Sequence, residues 1–473
     1  MRTGIIGVVL LGMTACAVGP DFNPPHSPAT DRYSAAALSP GFTSGAGVPY
    51  AWWQIYGCPA LNELVANALQ GNPTLKAAQA ALRQANELVK AQRGVLFPAV
   101  QASYAPTRER DAVGTLSPTL TSAQPLFTLQ TAQVSVSYML DVFGGNRRQI
   151  ESAQALADAQ RYDLEAAYLT LTSNVVAAAI QGASLRAQIQ ANETIVHSER
   201  DGLEILRKQL MLGSIAQTAV MAQEAALAAA EAQLPSLHKQ LALQRDLLAV
   251  LAGSSPGEPP AQTFELAALS VPGELPLSLP STLVRQRPDV LAAEAQLHYA
   301  SAQVGVATAD LFPQIDLTAT AGGASTALST LFAGGNSFWS VGASLSQTLF
   351  AGGANWHHKL AADAALDEAG SQYRAVVLTA LQNVADTLNA LQFDADALES
   401  DQRAETAARQ SLIATRASLT QGSITYLELL NAEQAQAQAT ANLEQARGTR
   451  LADTAALFVA LGGGWWNHPE PLQ

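Results

Sequence analysis

The architecture can be inferred from residues 73–104, PTLKAAQAALRQANELVKAQRGVLFPAVQASY. Four apolar residues, from Leu75 to Leu96, are spaced by seven, which predicts an α-helix with one apolar seam facing a partner helix. Pro73 suits the first position of this helix, because the N–H that proline lacks would have no partner there. After Pro98 apolar and polar residues alternate with a period of two, which predicts a β-strand.

The same pattern occurs again in residues 288–319. Pro288 and Pro313 are the same number of residues apart as Pro73 and Pro98. The apolar residues between the two prolines also occupy the same positions in both segments. Later landmarks repeat in order: Phe143-Gly144-Gly145 with Phe350-Ala351-Gly352-Gly353, Leu212-Gly213-Ser214-Ile215 with Gln421-Gly422-Ser423-Ile424, and Val250-Leu251-Ala252-Gly253 with Ala460-Leu461-Gly462-Gly463. So many ordered matches predict two copies of one structural unit.

The repeat divides the chain. We expect residues 61–270 to form the first copy and residues 271–473 the second. Residues 1–15 are expected to be a signal peptide, and residues 16–60 an N-terminal segment that contributes to a collar.

Each copy contains a pair of segments that alternate strictly. Val134, Val136 and Tyr138 alternate with polar residues in the first copy, as Trp339 and Val341 do in the second. A strand between lipid and water has one apolar and one polar face, as does a half-buried strand in a soluble protein. The links within the pairs, residues 108–125 and 322–336, are rich in Gly, Ser, Thr and Pro and are predicted loops.

Two very long helices follow the strand pairs. Residues 146–212 and 354–421 contain no proline, and a continuous helix of that length would reach ~100 Å. Gly213 and Gly422 are predicted to end these helices and reverse the chain. Glycines within the helices, such as Gly182, Gly202 and Gly370, indicate either breaks or close helix contacts. Pro235 is expected to kink the first returning helix.

The N-terminus has the features of a secretory signal. Arg2 precedes a short apolar run, and Met13-Thr14-Ala15-Cys16 resembles the sequence cut by the lipoprotein signal peptidase. Cleavage would leave Cys16 first in the chain, with lipid on its sulfur and amine. An ordinary buried cysteine is the alternative. Cys58 then has no partner and is interpreted as a structural thiol.

The composition limits the function classes. The net charge of −13 argues against nucleic-acid binding, which needs a basic surface. Alanine supplies much of the 48% hydrophobic content, whereas aromatic residues make up 6%, which favours closely packed helices. No catalytic serine elbow, phosphate loop or zinc-ligand spacing is present, so the sequence predicts neither an enzyme nor a metal site.

Four strands cannot close a barrel, and an open sheet edge is not tolerated in lipid. We therefore expect a mainly α-helical protein with a transmembrane β-barrel, in which three chains contribute four strands each to 12 strands. No helix contains a run of ~20 apolar residues. The long antiparallel helical hairpins are therefore expected to form a periplasmic tunnel.

The sequence resembles the outer-membrane efflux lipoproteins of the TolC-like superfamily, the exit ducts of tripartite resistance-nodulation-division pumps. The resemblance runs from Cys16 to about Gly463 and is carried by Cys16-Ala17-Val18-Gly19-Pro20-Asp21, Trp52-Trp53, Pro59-Ala60-Leu61, Asn72-Pro73, Tyr138, Asp141-Val142-Phe143-Gly144, Leu279-Pro280-Ser281, Arg287-Pro288-Asp289, Leu311-Phe312-Pro313-Gln314, Phe350, Gly352-Gly353 and Gln421-Gly422. It implies a homotrimer in the outer membrane that extends into the periplasm and passively conducts drugs or other small toxic compounds.

The resemblance also implies partners and sites. A periplasmic adaptor protein is expected to contact the hairpin ends at Gly213, Ser214, Gly422 and Ser423, and an inner-membrane pump of the resistance-nodulation-division type to supply energy. The only attached group implied is the diacylglycerol and N-acyl lipid on Cys16, which inserts into outer-membrane lipid.

Two departures from the family are visible. Gly145 stands where an arginine is frequent. Aspartates often close the periplasmic end, and here the candidate constriction consists of Glu428, Asn431 and Glu433, with solvated helix positions as the alternative for the two glutamates.

Other functions remain open at this point. The same fold could serve metal-ion export or type I protein secretion. A periplasmic coiled-coil scaffold without a pore is a third hypothesis, against which the four alternating segments count.

Overall fold

The computed structural model describes residues 17–26, 32–33, 42–44, 47–110, 126–270, 275–277 and 280–468. Cys16 and the signal segment lie outside these residues. The described chain is mainly helical. Its α-helices are α1 (Pro59–Gly71), α2 (Pro73–Arg93), α3 (Gly145–Met211), α4 (Gln217–Leu251), α5 (Pro280–Leu283), α6 (Pro288–Ala309), α7 (Ala354–Thr420) and α8 (Tyr426–Ala460). Its strands are β1 (Phe42–Ser44), β2 (Ala99–Arg110), β3 (Leu126–Leu140), β4 (Leu275–Leu277), β5 (Gln314–Ser325) and β6 (Ser337–Ser346).

The long helices have the same length in the two halves. Helices α3 and α7 each contain 67 residues, and the returning helices α4 and α8 each contain 35. Helix α3 is not broken at Gly182 or Gly202, and α7 is not broken at Gly370. Helix α4 continues through Pro235. The interpretation of these glycines as breaks is therefore wrong.

Gly202 marks a close helix contact instead. A Cβ atom at this position would lie 3.0 Å from Nε2 of Gln223 in α4 and 3.1 Å from a methyl carbon of Leu430 in α8. Because glycine has no side chain, three helices pack closely at this point of α3.

The described chain forms two compact units. Unit 1 takes the described residues of Met1–Pro25, Arg83–Ala159 and Ala293–Tyr373, and unit 2 takes those of His26–Leu82, Gln160–Ala292 and Arg374–Gln473. Each unit thus takes segments from both halves of the sequence. Below, each unit is described by itself.

Unit 1 contains a four-stranded antiparallel sheet of order β2-β3-β5-β6. Both outer strand pairs are hairpins, and β3 pairs with β5 through Tyr138 and Leu317. The strands are longer than the alternation predicted, because Arg108 belongs to β2 and Gly322 to β5. A Cβ at Gly322 would collide with the carbonyl oxygen of Ala132, so glycine here permits close strand approach rather than forming a loop.

Unit 2 contains a core of aromatic and aliphatic side chains. Trp52 is fully buried and stacks on Phe458 at a centroid distance of 5.5 Å. Tyr56 is also fully buried, and its hydroxyl donates to the carbonyl oxygen of Leu451 at 2.9 Å. Trp52 and Trp53 therefore serve in packing the core of unit 2. Cys58 is a buried free thiol directly before α1, consistent with a structural role.

A small parallel sheet in unit 2 was not predicted. Strand β1 pairs with β4, with Phe42 opposite Leu275. Leu275 and Leu277 are buried in the same core as Trp52. Segments of only three residues are too short for a periodic pattern, so the sequence does not indicate them.

Candidate functional site

One face of the sheet in unit 1 is apolar across all four strands. The register aligns Val100, Val136, Ala319 and Val341 in one row. Neighbouring rows on this face contain Ala102, Val134, Ala321 and Trp339, and Tyr138, Leu317 and Ala343. Side chains directly opposite one another in adjacent strands lie on the same face. The alternation seen in each strand therefore adds up to a continuous apolar face.

The opposite face carries small polar groups. One row consists of Gln101, Ser135, Thr320 and Ser340. The hydroxyl groups of Thr320 and Ser340 are hydrogen-bonded at 2.6 Å. Asp316 lies opposite Ser344 on this face. A sheet with these two faces suits a boundary between an apolar medium and water.

The apolar face is exposed in the single chain. Trp339 is 78% exposed and Val341 is 75% exposed on β6, and Val100 is 69% exposed on β2. A soluble protein rarely leaves so large a contiguous apolar patch open to water. Within the described residues, β2 and β6 each pair on one side only. Both edges and the apolar face therefore need other partners.

The two long hairpins in unit 2 turn in the same way. Gly213 and Gly422 have φ angles of +69° and +71°. The N–H of Gly213 donates to the carbonyl of Leu210, and the N–H of Ser214 donates to that of Gln209. Gly422 and Ser423 repeat both bonds with Leu419 and Ser418. This Schellman pattern uses glycine because other residues are strained at such angles.

The four predicted adaptor-contact residues thus lie at the two hairpin ends. All four are exposed. The hydroxyl of Ser214 donates to the carbonyl of Gln209 at 2.8 Å, and that of Ser423 to the carbonyl of Ser418 at 2.9 Å. The first end also exposes Met211 and Leu212, which are 79% and 83% exposed.

The predicted constriction residues make different contacts. Glu428 forms a capping box with Thr425, whose N–H donates to the carboxylate at 2.7 Å. Glu433 accepts a hydrogen bond from Arg416 in α7 at 3.0 Å and one from the hydroxyl of Ser198 in α3 at 3.4 Å. Asn431 is exposed. Glu428 therefore caps the start of helix α8, whereas Glu433 connects three helices.

The residue before each repeated proline caps a returning helix. The Asn72 side-chain amide donates to the carbonyl oxygen of Leu251, the last residue of α4, at 3.0 Å. Arg287 donates through Nη1 to the carbonyl of Ala460, the last residue of α8, also at 3.0 Å. Arg287 is buried and forms an ion pair with Asp289 at 2.6 Å. These bonds satisfy helix-end carbonyls that have no partner within the helix.

An acidic pair connects α7 and α8 in unit 2. Burial, and then the adjacent Asp453 carboxylate, raise the pKa of Asp394 from 3.8 to about 6, and Arg450 acts in the opposite direction. Oδ2 of Asp394 is buried without a hydrogen-bond partner among the described residues. Two neighbouring carboxylates in such a place favour retention of a proton.

A segment near the N-terminus is held tightly in unit 1. We call residues 17–22 the N-terminal strap. The N–H of Val18 donates to the carbonyl of Phe143 at 3.0 Å. Arg148 donates to the carbonyl of Val18 at 3.1 Å and to the carboxylate of Asp21 at 2.8 Å. Phe22 stacks on His298 at 4.3 Å.

Sequence reasoning identified the strap residues but not Arg148. The arginine that is frequent at position 145 in the resembling family is absent, but Arg147 and Arg148 follow closely. Arg147 binds Asp141 at 3.0 Å. The two arginines that follow Gly145 are the signal from which sequence reasoning could have found these contacts.

No helix among the described residues is long and apolar enough to cross a membrane. Likewise, these residues contain no group of three or more His, Cys, Asp or Glu side chains placed to hold a metal ion.

Comparison with known proteins gives matches along nearly the whole chain. The profile of the family described as "outer membrane efflux protein" matches residues 64–254 and 279–463. The pyoverdine export outer membrane protein OpmQ of Pseudomonas putida is 30% identical over 88% of this chain and 88% of its own length. The cation efflux system protein CusC of Escherichia coli is 27% identical, over 97% of each chain.

Solved structures match as well. The outer-membrane channel OprN superposes with a TM-score of 0.84 at 29% identity, covering 95% of this chain and 100% of OprN. The CmeC outer membrane channel of Campylobacter jejuni superposes with a TM-score of 0.85 over 95% of each chain. At 22% identity, CmeC shows likeness of fold alone.

Proposed function

Because the chain belongs to the outer membrane efflux protein family, we propose that it is the outer-membrane channel of a tripartite efflux system. It conducts drugs or other small toxic compounds passively, and an inner-membrane pump supplies the energy. Lipid on Cys16 anchors it. The observation that carries this proposal is the sheet in unit 1, with one apolar face, one polar face and two unpaired edges.

The sheet argues for a trimer. Backbone groups at the free sides of β2 and β6 would be unsatisfied in lipid, where no water replaces a missing strand. Pairing β6 of one copy with β2 of the next removes both edges. Three copies of a four-stranded sheet supply 12 strands, an even number within the range of bacterial barrels. The apolar face then contacts lipid, and the polar face lines the pore.

The helices argue for a tunnel. A helix of 67 residues is ~100 Å long at 1.5 Å per residue, far beyond the needs of a small domain. Two such hairpins per chain give 12 helical segments in a trimer. The equal helix lengths and the two stretches matched by the family profile support the division into repeats, residues 61–270 and 271–473, after the signal and N-terminal segments.

The hairpin ends suit contact with an adaptor protein. Gly213, Ser214, Gly422 and Ser423 are exposed, and the backbone there is fixed by hydrogen bonds, so binding costs little conformational entropy. We propose the periplasmic constriction at Glu428, Asn431 and Glu433. The Arg416–Glu433 ion pair connects the two helices of the second hairpin, α7 and α8. The hydrogen bond from Ser198 to Glu433 connects this hairpin to α3.

The cargo is proposed from the relatives and from the composition of the chain. Relatives carry names that refer to pyoverdine export, cation efflux and toluene efflux. The low methionine content, five in the whole chain, argues weakly against copper. Drugs and small organic compounds are the first class to test, and metal ions or secreted proteins are the alternative.

Conductance of the purified protein tests the channel directly. The full chain, extracted from outer membranes, should migrate as a trimer without heating and should produce discrete conductance steps in a planar bilayer. A variant with Val341→Arg on the apolar face should lose insertion and serves as the control. A monomeric protein without conductance would contradict the proposal.

A deletion strain tests the transport role. Cells without the protein should become more sensitive to some drugs or solvents, and expression of the intact chain should restore resistance. Metal salts belong in the same screen, because sensitivity to metals alone would select the alternative cargo.

A further inference from the structure

A small cavity in unit 1 adjoins the N-terminal strap. Its volume is about 260 Å³, and it lies among the end of β3, the start of α3 and the end of α6. Apolar side chains form much of its lining, namely Met139, Leu140, Val142, Phe143, Val306 and Pro313. Drug-sized ligands occupy roughly 300–1,000 Å³, so the cavity suits a smaller group.

The strap brings the chain to the edge of this cavity. The N–H of Val18 donates to the carbonyl of Phe143, which lines the cavity. A Cβ atom at Gly144 would lie 2.6 Å from Cα of Ala17, so the two backbones are in direct contact there. Cys16 is bonded to Ala17, and consecutive Cα atoms are about 3.8 Å apart. A group on the Cys16 sulfur is therefore joined to the chain one residue before this contact.

A buried donor in the lining has no partner. Asn146 is 8% exposed, and its Nδ2 is buried without an acceptor among the described residues. The backbone N–H of the same residue already donates to Asp141 at 2.9 Å. A buried amide group without a partner costs about 1–3 kcal/mol. A carbonyl oxygen entering the cavity would satisfy Nδ2 and remove this cost.

The charges in the lining favour a neutral group. Asp141 and Asp310 both line the cavity. The Asp141 carboxylate is neutralised by Arg147 at 3.0 Å, which leaves the charge of Asp310 uncompensated within the lining. A phosphate would be repelled at this position. The ester linkage of a glycerolipid carries carbonyl oxygens and no charge.

We propose that this cavity holds the glyceryl ester linkage of the lipid attached to Cys16, with Asn146 donating to an ester carbonyl. The cavity is too small for complete acyl chains, which continue into the membrane. This assignment rests on the proposed lipid anchor. In this assignment the strap fixes the point at which the lipid leaves the protein. Arg148 holds the strap in place and is therefore a positioning residue.

Photo-methionine gives a direct test, because the three methionines after Cys16 are Met139, Met211 and Met221. Met139 lines the cavity, whereas the other two do not. Full-length protein from cells fed photo-methionine and radioactive palmitate is irradiated, digested and analysed by mass spectrometry. The expected product joins the acylated N-terminal peptide to the Met139 peptide, with none at Met211 or Met221.

Other products have defined meanings. A phospholipid adduct on Met139, or palmitate on Cys16 without any crosslink to Met139, would overturn the cavity assignment and leave the channel and its anchor intact. Absence of palmitate from Cys16 would overturn the anchor together with this inference, while conductance still reports on the channel separately.

A pair of variants isolates the role of the amide. Asn146→Ala removes the donor, and Asn86→Ala removes an exposed asparagine of α2 in the same unit. Loss of a buried hydrogen bond of about 1 kcal/mol should lower the crosslink yield about fivefold in the first variant. Equal yields in both variants would show that Asn146 does not bind the lipid.

Discussion

The side-chain amide of Asn72 donates a hydrogen bond to the carbonyl oxygen of Leu251 over 3.0 Å, although 179 residues separate the two in the chain. Arg287 makes the corresponding bond to Ala460 in the second half. Each joins the start of a short helix to the end of a returning one. The residue before each proline thus fixes how a hairpin is attached to the core of unit 2.

Replacement of Arg287 tests the importance of this attachment. Arg287→Ala removes the bond to Ala460 and leaves Asp289 without its ion-pair partner. Hydrogen bonds of charged groups contribute about 1.5–3 kcal/mol, so we expect a loss of that size in thermal or denaturant unfolding. Arg285→Ala is the matched control, because Arg285 is exposed. Equal stability of the two variants would refute the attachment role.

The faces of the sheet can be separated by one substitution on each. Val341→Arg places a charge on the apolar face, which should cost about 2–4 kcal/mol if that residue lies near the middle of the bilayer. Ser344→Arg places the same charge on the polar face, opposite Asp316. We expect the first variant to assemble poorly in outer membranes and the second to assemble normally. The measurement is the trimer yield in membrane fractions. If Ser344→Arg assembled worse than Val341→Arg, the assignment of the lipid-facing and pore-facing sides would be reversed.

Close packing of α3 on α8 depends on Gly448. A Cβ atom at this position would lie 2.7 Å from Oγ of Ser184. Gly448→Ala should therefore destabilise the protein by about 1–3 kcal/mol through overpacking.

Gly370 supplies the control for that substitution. It also lies within a helix, but the nearest atom to its Cβ position is 4.0 Å away. Gly370→Ala should stabilise the protein by about 0.4–1 kcal/mol, because alanine restricts the unfolded chain. Melting temperatures that shift in the same direction for both variants would contradict the packing argument.

Stability should depend on pH through Asp394. Burial, with the Asp453 carboxylate, raises the pKa of Asp394 to about 6, so between pH 4 and 6 the folded protein binds more protons than the unfolded chain. Stability from this group is therefore present at low pH and lost as the pH rises through 6. Asp394→Asn should raise the melting temperature at pH 7.5 and confer no such gain at pH 4.

The exposed Asp396 provides the comparison for this pH effect. The parent protein has a certain difference in melting temperature between pH 4 and pH 7.5. Asp396→Asn should leave this difference unchanged. If Asp394→Asn also left it unchanged, the carboxylate pair would have no influence on stability.

The structure differs from the sequence-based predictions at positions whose role depends on contacts with residues distant in the chain. The sequence allowed Gly202 to be either a helix break or a close helix contact. The structure shows a close contact, because Gln223 and Leu430, which are distant in the chain, pack against it. Gly322 looks like a loop residue by composition, yet it lies in a strand because the facing Ala132 carbonyl leaves no room for a side chain. Local composition contains no information about either neighbour.

Residues near one another in the chain were enough to predict the long helices, the alternation of the sheet faces and the glycine turns at 213 and 422. These features depend on residues close together in the chain, where periodicity and backbone preference act directly. The pairing of β3 with β5, the contacts of Arg148 with the strap and the attachment of Arg287 to Ala460 became visible in the folded chain alone. These join residues far apart in the chain, and their energies arise from burial and hydrogen bonds that exist only after the segments have packed.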